Sequence, residues 1–247
     1  MNERKERIYQ VIQKLGNATI EHLTKEIYAS PATIRRDLAK MEAEGVVSRV
    51  WGGAILAHKN TLDPPDFVRS NENISAKKKI ARKALSMLFE NCSIFIPAGT
   101  TVKELCKILG ELKNLTVITN CVDVINTLRD FTSFKLYSIG GELHENHDFV
   151  GPIANEFIDK FSSNFLFFSC SGITKDGFTS NDIQRLDIIT HMQKNSTKTV
   201  LLCDTSKINK KCMYNGFDFS KIDYVIMEKM PNDKELVSIL KDKIIIA

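Results

Sequence analysis

The stretch "SPATIRRDLAKMEAEGVVSRVWGGAI", residues 30–55, carries the signals of a helix and of a β-hairpin directly after it. Ser30 is a typical N-cap residue, and Pro31 suits the first helical position because no backbone N–H is required there. Gly45 predicts the end of the helix. The alternating run "VVSRV" then predicts a strand, "WGG" a turn and "AIL" a returning strand.

The predicted helix has an apolar face and a cationic face. Ile34, Leu38 and Met41 recur at helical spacing, so we expect them to be buried. Small residues at the start of the opposite face can enter a DNA groove without collision, and arginine can bond two acceptors on guanine or clamp a phosphate. We therefore expect this helix to bind the major groove of double-stranded DNA. The residues expected to contact DNA are Ser30, Pro31, Ala32, Thr33, Arg35, Arg36 and Lys40.

Two more helical patterns precede this helix. The apolar residues from Ile8 to Leu15 recur at helical spacing, and Gly16 ends that pattern. Thr19 can cap a short second helix that directs Leu23 inward. Three helices followed by a hairpin predict a helix-turn-helix domain with a wing.

The hairpin is expected to act as the wing of this domain. We expect Arg49 to face the DNA backbone or the minor groove, and Trp51 to pack the wing against the helices. Thr19, Arg49 and Trp51 complete the predicted DNA-contacting set. An arginine pair such as Arg35–Arg36 is most often only a solvated helix face, but the complete layout around this pair favours DNA binding.

Composition and charge agree with a soluble protein whose first quarter is basic. The chain has 247 residues, of which 43% are hydrophobic and 26% charged, enough for one large domain or two smaller ones. Residues 1–60 hold 10 Lys and Arg against 7 Asp and Glu, a balance of +3, which leaves +1 of the net +4 for the rest. The charged start, and the lack of an apolar run of about 18 residues, predict a cytoplasmic protein outside the membrane.

The chain is expected to divide at residues 58–73, "HKNTLDPPDFVRSNEN", a polar stretch with a Pro-Pro pair that we interpret as a linker. It separates a DNA-binding domain, residues 1–57, from a second domain, residues 74–247. Near-continuous apolar runs alternate with helical patterns in the second domain, which predicts an α/β fold with a mainly parallel sheet covered on both faces. The six runs are "SIFI" (93–96), "LTVIT" (115–119), "FKLYSI" (134–139), "NFLFFS" (164–169), "TVLLC" (199–203) and "DYVIM" (223–227).

Polar and glycine-rich turns follow these predicted strands, at the end where ligands of such sheets bind. A glycine lets a ligand approach the backbone closely, hydroxyls can donate to it, and the Lys207 ammonium is a counter-charge for phosphate. Each turn alone is a weak signal, but several at successive strand ends can form one pocket. The residues expected to bind an effector here are Gly99, Thr100, Thr101, Thr119, Asn120, Gly140, Gly141, Gly172, Asp204 and Lys207.

Residues 30–54 resemble the N-terminal signature of the DeoR family of bacterial transcriptional regulators. The resemblance implies a winged helix-turn-helix that binds operator DNA, usually as a repressor of sugar or carbohydrate utilisation genes. It extends to the second domain, which resembles the family's sensor, with a fold similar to ribose-5-phosphate isomerase and a phosphorylated sugar as effector. The matching residues of the signature are Ser30, Thr33, Ile34, Arg35, Arg36, Asp37, Leu38, Glu42, Gly45, Arg49, Gly52, Gly53 and Ala54.

The resemblance also has consequences for single residues of the second domain. Lys77 matches a lysine that the family usually has, so it joins the predicted effector-binding set. Pro97, Asn164, Gln184 and Ile189 stand where the family commonly has Asp, Asp, Glu and Lys. We expect these replacements to remove groups that could bind sugar hydroxyls, while the phosphate-binding part stays intact.

A homodimer or homotetramer is expected, because symmetric half-sites multiply the discrimination of the operator from other DNA sequences.

Three functions other than that of a ligand-controlled regulator compete for these residues: an isomerase, a metal or nucleophile site, and DNA binding without a ligand. A sugar-phosphate isomerase with an accessory DNA-binding domain needs a positioned base, but "FFSCSGI" offers no carboxylate and Pro97 replaces a possible one. His144 and His147 of "HENHD" are interpreted as loop residues rather than metal ligands, and Cys170 lacks a predictable histidine partner. A DNA-binding protein without any ligand stays open. No catalytic residue, metal or cofactor is predicted.

Overall fold

The computed structural model describes residues 3–57, 66–131, 133–144 and 148–247. The chain forms two compact units, Met1–Glu72 and Asn73–Ala247. The first unit is mainly helical. Its elements are α1 (Glu3–Leu15), β1 (Asn17–Thr19), α2 (Ile20–Ile27), α3 (Pro31–Ala43), β2 (Val47–Val50), β3 (Gly53–Leu56) and α4 (Asp66–Asn71).

Local sequence signals set the ends of the helices in the first unit, as predicted. The Thr19 hydroxyl accepts a hydrogen bond from the His22 N–H at 3.1 Å, and the Ser30 hydroxyl accepts one from the Thr33 N–H at 3.2 Å. Each bond satisfies a backbone donor that has no partner inside its helix. Gly16 follows α1 with a φ of 77°, a conformation that favours glycine.

Two long-range features of this unit were not predicted. β1 pairs with β3, so the hairpin of β2 and β3 becomes a three-stranded antiparallel sheet in the order β1-β3-β2. Asp37 is buried between the apolar residues of α3, and its Oδ2 accepts from the Arg4 Nε at 2.5 Å. This ion pair ties α3 to α1, and the predicted apolar residues Ile34, Leu38 and Met41 are fully buried beside it.

Part of the predicted linker, residues 58–73, is helical. Residues 58–65 lie outside the described part of the chain, but Asp66–Asn71 form α4. Val68 is buried in the core of the first unit, and the Asn71 Nδ2 donates to the Glu6 Oε1 at 2.9 Å. An apolar anchor and a side-chain hydrogen bond therefore hold this segment on α1, although its Pro-Pro pair, polar residues and few apolar residues predicted a linker.

The second unit is built on a seven-stranded sheet in which every neighbouring pair is parallel, in the order β15-β14-β12-β9-β4-β5-β6. The predicted class, α/β with a mainly parallel sheet, is confirmed. The elements in chain order are α5 (Ile74–Leu85), β4 (Ser93–Phe95), α6 (Thr100–Cys106), β5 (Thr116–Thr119), α7 (Val122–Leu128), β6 (Lys135–Ser138), β7 (Glu142–His144), β8 (Asp148–Val150), α8 (Pro152–Ile158), β9 (Ser163–Phe168), β10 (Gly172–Thr174), β11 (Gly177–Ser180), α9 (Ile183–Lys194), β12 (Ser196–Leu202), β13 (Tyr214–Asn215), β14 (Tyr224–Met227), α10 (Lys234–Leu240) and β15 (Ile244–Ile246).

Helices cover both faces of this sheet, which explains the near-continuous apolar runs in its strands. Phe168 of β9 packs into a core with residues of α8, α9 and α10. The preceding Phe167 points the other way, into a core with residues of α5, α6 and α7. Successive side chains of a strand point to opposite faces, so both had to be apolar. Among the described residues, no helix combines the length and the hydrophobicity needed to cross a bilayer.

Candidate functional site

The exposed face of α3 is cationic along its length. Arg35, Arg36 and Lys40 are exposed, while Ile34 and Leu38 on the other side of the helix are buried. Within the described part of the chain, these three cationic side chains have no acidic partner. Their donors are therefore available to phosphate or base acceptors, whereas the two acidic residues of the same helix, Asp37 and Glu42, are paired with Arg4 and Arg49.

The start of α3 presents a small and polar surface. Pro31 and Ala32 are exposed, and the Ser30 and Thr33 hydroxyls lie 3.0 Å apart. The Ser30 hydroxyl already accepts the capping hydrogen bond from the Thr33 N–H, so a contact from this hydroxyl to DNA must form alongside that bond. The predicted contacts Ser30, Pro31, Ala32 and Thr33 thus share one exposed corner with Arg35 and Arg36.

The wing differs from the prediction at its tip. Trp51 was expected to pack against the helices, but its side chain is fully exposed. Gly52 has a φ of 77° in the two-residue turn between β2 and β3, and this tight turn directs Trp51 away from the core. A large aromatic ring therefore stands at the wing tip, where it can contact DNA.

Arg49 on the wing is held by a carboxylate of α3. Its Nε donates to the Glu42 Oε2 at 2.6 Å, and its backbone N–H donates to the Glu42 Oε1 at 2.9 Å. These two hydrogen bonds hold the pKa of Glu42 below its usual range, so Glu42 is ionised at neutral pH. Arg49 must share its guanidinium between Glu42 and DNA, which the sequence pattern did not indicate.

The exposed ring of Trp51, the one tryptophan of the chain, predicts a fluorescence signal. We expect the emission of the free protein to be that of a water-exposed indole. Binding of operator DNA should quench the emission or shift it to shorter wavelength, because the wing tip loses contact with water. A titration with operator fragments measures this change, and a fragment of random sequence at matched salt is the control. Unchanged emission at saturating operator would remove Trp51 from the interface.

The Glu42–Arg49 pair predicts a variant with stronger DNA binding. In Glu42→Gln the side-chain carbonyl still accepts from the Arg49 N–H, but the charge that competes with phosphate is gone. We expect operator affinity to rise by about two- to fivefold and the slope of log K against log salt to steepen by about one. A mobility-shift series at several salt concentrations tests this, with the unchanged melting temperature of the variant as the control. Weaker binding would show that the pair positions the wing productively.

The second candidate site lies at the carboxyl edge of the parallel sheet. Asp204 follows β12, Gly172 follows β9, Gly99 follows β4 and Asn120 follows β5, and these four strands are consecutive neighbours. A side chain on Gly99 would meet the Ser169 Oγ at 2.2 Å, which shows how closely the exits of β4 and β9 approach. The structure therefore brings the predicted turns after these strands into one row.

Asp204 is the most constrained residue of this row. It is 1% exposed, and its Oδ1 accepts from the Asn73 Nδ2 and the Ser206 N–H, each at 3.2 Å. Its Oδ2 is buried and has no hydrogen-bond partner among the described residues. Lys77 lies one helical turn after Asn73 in α5 and is 2% exposed. A buried carboxylate oxygen without a partner is costly unless a ligand or water donates to it.

Thr119 and Asn120 end β5 in the same row. Both are buried, and the Asn120 Nδ2 donates to the Phe149 carbonyl at 2.9 Å. The Asn120 Oδ1 is buried and finds no donor within the described residues. The Thr119 Oγ1 accepts from the Cys121 N–H at 3.0 Å, so it shapes the turn. Asn120 thus leaves a second buried acceptor near the sheet edge.

Two of the predicted glycines, Gly172 and Gly141, have structural reasons that do not involve a ligand. A side chain on Gly172 would overlap the Lys210 carbonyl at 1.8 Å, and one on Gly141 would meet the Val150 carbonyl at 2.7 Å. Gly140 and Gly141 follow β6, four strand positions from β12, which is about 19 Å at about 4.8 Å per strand. An effector that reaches from Asp204 to Asn120 ends one strand short of the β6 exit, so we do not expect Gly140 and Gly141 to contact it.

Comparison with known protein families assigns both units. Residues 4–60 match the model described as the DeoR-like helix-turn-helix domain, and residues 72–229 match the DeoR C terminal sensor domain. The chain belongs to the DeoR family. It is therefore a DNA-binding transcriptional regulator, and its second unit is the family's sensor domain.

Individual DeoR-family relatives align over nearly the whole chain. The L-fucose operon activator of Haemophilus influenzae is 32% identical over 93% of this chain and 92% of its own. The transcriptional repressor AccR of Agrobacterium fabrum is 31% identical over 85% and 83%, respectively. Among solved structures, ribose 5-phosphate isomerase A of Methanocaldococcus jannaschii matches with a TM-score of 0.43, at 16% identity over 56% of each chain.

Two expected departures from the DeoR pattern lie away from the sheet edge. The Asn164 Oδ1 accepts from the Ser93 N–H at 2.8 Å at the amino ends of β9 and β4, on the opposite side of the sheet. Ile189 is buried in the core beneath α9. Neither position can read a sugar at the carboxyl edge, so the expectation that their replacement alters effector binding is corrected. Pro97, buried directly after β4, does lie at that edge.

Several polar residues near the sensor's sheet edge were missed. Asp148 is fully buried and its Oδ2 accepts from the Arg185 Nε at 2.5 Å, while the His144 Nε2 lies 2.9 Å from the Asp182 Oδ2. Asp148 reaches this edge because it bridges to Cys121, directly after β5. His144 ends strand β7 rather than lying in a loop, and His147 is outside the described residues. Such pairs, far apart in the chain, have no local signature.

Metal binding and thiol state can be stated for the described residues. No group of three or more His, Cys, Asp or Glu side chains there is arranged to hold a metal ion. All six cysteines are free thiols, five buried and Cys170 half-buried.

Proposed function

We propose that this regulator controls genes of carbohydrate use, and that a phosphorylated sugar bound by its sensor domain weakens operator binding. The names of relatives support this, since they include an L-fucose operon activator and a lactose phosphotransferase system repressor of Staphylococcus aureus, 28% identical over 97% of this chain. Repression is the outcome proposed for this chain, because a wing and groove-reading helix that occupy an operator block transcription without further contacts.

The unpartnered oxygen of Asp204 is the observation that carries the effector proposal. A buried carboxylate oxygen is stabilised by donors, and sugar hydroxyls are donors. Two lysines near Asp204 in the chain can supply the positive charge that a phosphate needs. Lys207 lies in the turn after Asp204. Lys77 lies one helical turn after Asn73, whose side-chain amide donates to Asp204. We assign sugar hydroxyls to Asp204 and Asn120, and phosphate to the cations and the Gly99–Thr101 turn.

We propose a homodimer or homotetramer as the DNA-bound form. A single winged helix presents one reading helix and one wing, which together contact only a few base pairs. Two copies on symmetric half-sites multiply the discrimination against other sequences. Effector binding would then act by changing how the reading helices are presented, with a coupling of typically about 1–3 kcal/mol.

Catalysis is the weaker proposal for the sensor site. A sugar-phosphate isomerase needs a carboxylate free to take a proton from carbon. Glu228 at the end of β14 accepts from both the N–H and the hydroxyl of Thr205, and Asp204 accepts from Asn73 and Ser206. Both oxygens of Glu228 are thus occupied in orienting a turn, and Asp204 keeps one oxygen for the hydrogen bonds of a bound ligand, which suits binding and release rather than turnover.

A screen of sugar phosphates by thermal unfolding tests the proposal. A ligand at 100 times its Kd stabilises a folded protein by about 2.7 kcal/mol, so a specific effector should raise the melting temperature by several degrees. The same compound should release the operator in a mobility-shift assay, and the unphosphorylated sugar at equal concentration is the control. If no sugar phosphate stabilises the protein, or if one is isomerised at the rate of an enzyme, the sensor proposal is wrong.

A further inference from the structure

The sensor domain holds two thiols in contact at the carboxyl edge of its sheet. Cys170 follows β9 and Cys203 follows β12, the neighbouring parallel strand. The pairing of Phe168 with Leu201, extended by two residues on each strand, sets Cys170 beside Cys203. Their sulfur atoms are 3.9 Å apart. Two thiols from distant parts of the chain thus meet in a defined geometry.

This geometry suits a disulfide between the two strand ends. Neighbouring strands are about 4.8 Å apart, within the range of about 4.4–6.8 Å that disulfides span between Cα atoms. A bond of about 2.05 Å needs the two sulfur atoms to approach by less than about 2 Å. Side-chain rotation and a small movement of the strand ends supply that approach.

The two thiols differ in reactivity from each other and from the other cysteines. Cys170 is half-buried, and each of the other five cysteines is buried. The hydrogen bond that Cys203 shares with Cys170, together with burial, favours the protonated Cys203 thiol and raises its pKa well above its usual range, and burial raises the pKa of Cys121 to about 12. Buried protonated thiols react slowly with oxidants, so Cys170 is the thiol that an oxidant reaches first.

We propose that Cys170 and Cys203 form a reversible disulfide when the protein meets hydroperoxides. The Cys170 thiolate attacks the peroxide, so that an S–O bond forms, the O–O bond breaks and the leaving alkoxide takes a proton. Cys203 sulfur then attacks Cys170 sulfur, forming the S–S bond, and the displaced hydroxide leaves as water with the Cys203 proton. Two thiols and one hydroperoxide become one disulfide, one alcohol and one water, and a dithiol reductant reverses the change.

The disulfide acts on the proposed effector site, and this consequence rests on the function proposed above. Cys203 is joined directly to Asp204, and its thiol donates to the Asp204 carbonyl at 3.5 Å. Closing the sulfur–sulfur distance draws Asp204 toward the exit of β9, and it moves the turn that Asp204 begins, which carries Lys207, the proposed phosphate ligand. The oxidised sensor domain therefore binds its phosphorylated effector less tightly, and hydroperoxide becomes a second input to the regulator.

Thiol counting on the full chain tests the disulfide. Hydrogen peroxide should lower the titratable thiols of the unfolded protein from six to four, and dithiothreitol should restore six. Peptide mapping of the wild-type protein should find one cross-link, between Cys170 and Cys203. Cys170→Ser and Cys203→Ser should each abolish it, and Cys92→Ala should keep it. Six remaining thiols, or Cys170 oxidised to sulfinic acid without a cross-link, would overturn the proposal.

The consequence for binding is measured separately with inorganic phosphate as the probe. Phosphate should raise the melting temperature of the reduced protein, and its apparent Kd should rise at least about fivefold in the oxidised protein, the lower end of typical coupling. Cys170→Ser treated with peroxide should bind phosphate like the reduced wild type. A cross-linked protein with unchanged phosphate binding would refute the proposal that hydroperoxide is a second input to the regulator. A reduced protein that phosphate does not stabilise would refute the proposed phosphate site and leave the disulfide result standing.

Discussion

Replacing Arg35 and Arg36 together with alanine will weaken operator binding by roughly 30-fold or more. Each arginine that contacts a base or phosphate contributes about 1–3 kcal/mol, and about 1.4 kcal/mol is tenfold in affinity. Both side chains are exposed on α3 and have no acidic partner within the described chain, so the fold does not depend on them. Alanine also favours the helix. Mobility-shift titration against the operator, with circular dichroism to follow unfolding, measures both quantities.

The control for this variant is Lys14→Ala, which removes an exposed cation of the first unit outside α3. It should bind the operator within about twofold of the wild type, because an exposed charge beyond a Debye length of about 10 Å is largely screened. The single variant Arg36→Ala should lose about half of the double variant's free energy. If the double variant binds the operator like the wild type, α3 does not read DNA through these arginines.

Replacing Lys207 with alanine will abolish release of the operator by the effector while leaving operator binding unchanged. Lys207 is half-buried in the turn that Asp204 begins, where its ammonium can pair with a phosphate. Without that charge the effector loses a charge-assisted contact of roughly 1.5–3 kcal/mol, which is comparable to a typical coupling energy of about 1–3 kcal/mol. Mobility shifts with increasing sugar phosphate measure the release.

Lys211→Ala is the matched control, since Lys211 lies four residues further on and is exposed. It should be released by the same concentration of effector as the wild type. Asp204→Asn offers a second test of the pocket, because the amide keeps the shape of the side chain and removes its charge. Release of Lys207→Ala at wild-type concentrations would remove Lys207 from the pocket and move the phosphate to Lys77 and the Gly99–Thr101 turn.

Much of the DNA-binding unit could be predicted because its signals are local. Thr19 and Ser30 cap α2 and α3 by accepting a hydrogen bond from the backbone N–H three residues later. The ring of Pro31 is incompatible with a helix interior, so this proline marks the first turn of α3. The exposure of Trp51 was predicted wrongly because it depends on the direction of a tight turn. Hydrophobicity indicated a packed residue, and the positive φ of Gly52 directs it to solvent.

The candidate effector site could be predicted only in part. Turn residues after apolar strands were found because the carboxyl ends of parallel strands share one edge. The β6 exit was wrongly grouped with Asp204, since strand order is not written in any single strand. The position of Asn164 could have been predicted from the sequence, because it begins its apolar run and so lies at the amino edge of the sheet, opposite the predicted site.

Residue types and their short-range spacing indicate the first three helices and the hairpin of the DNA-binding unit, the six apolar strands of the second unit, and the cationic face of one helix. They also settle that the strands of the second unit are covered on both sides. Contacts between distant segments settle the rest: the order of the seven strands, the Arg4–Asp37 pair under α3, and the meeting of Cys170 with Cys203. The physical reason is how far apart in the sequence the interacting residues lie. Caps, turns and periodicity act within a few residues, whereas a sheet edge is assembled from exits separated by tens of residues, and only packing brings them together.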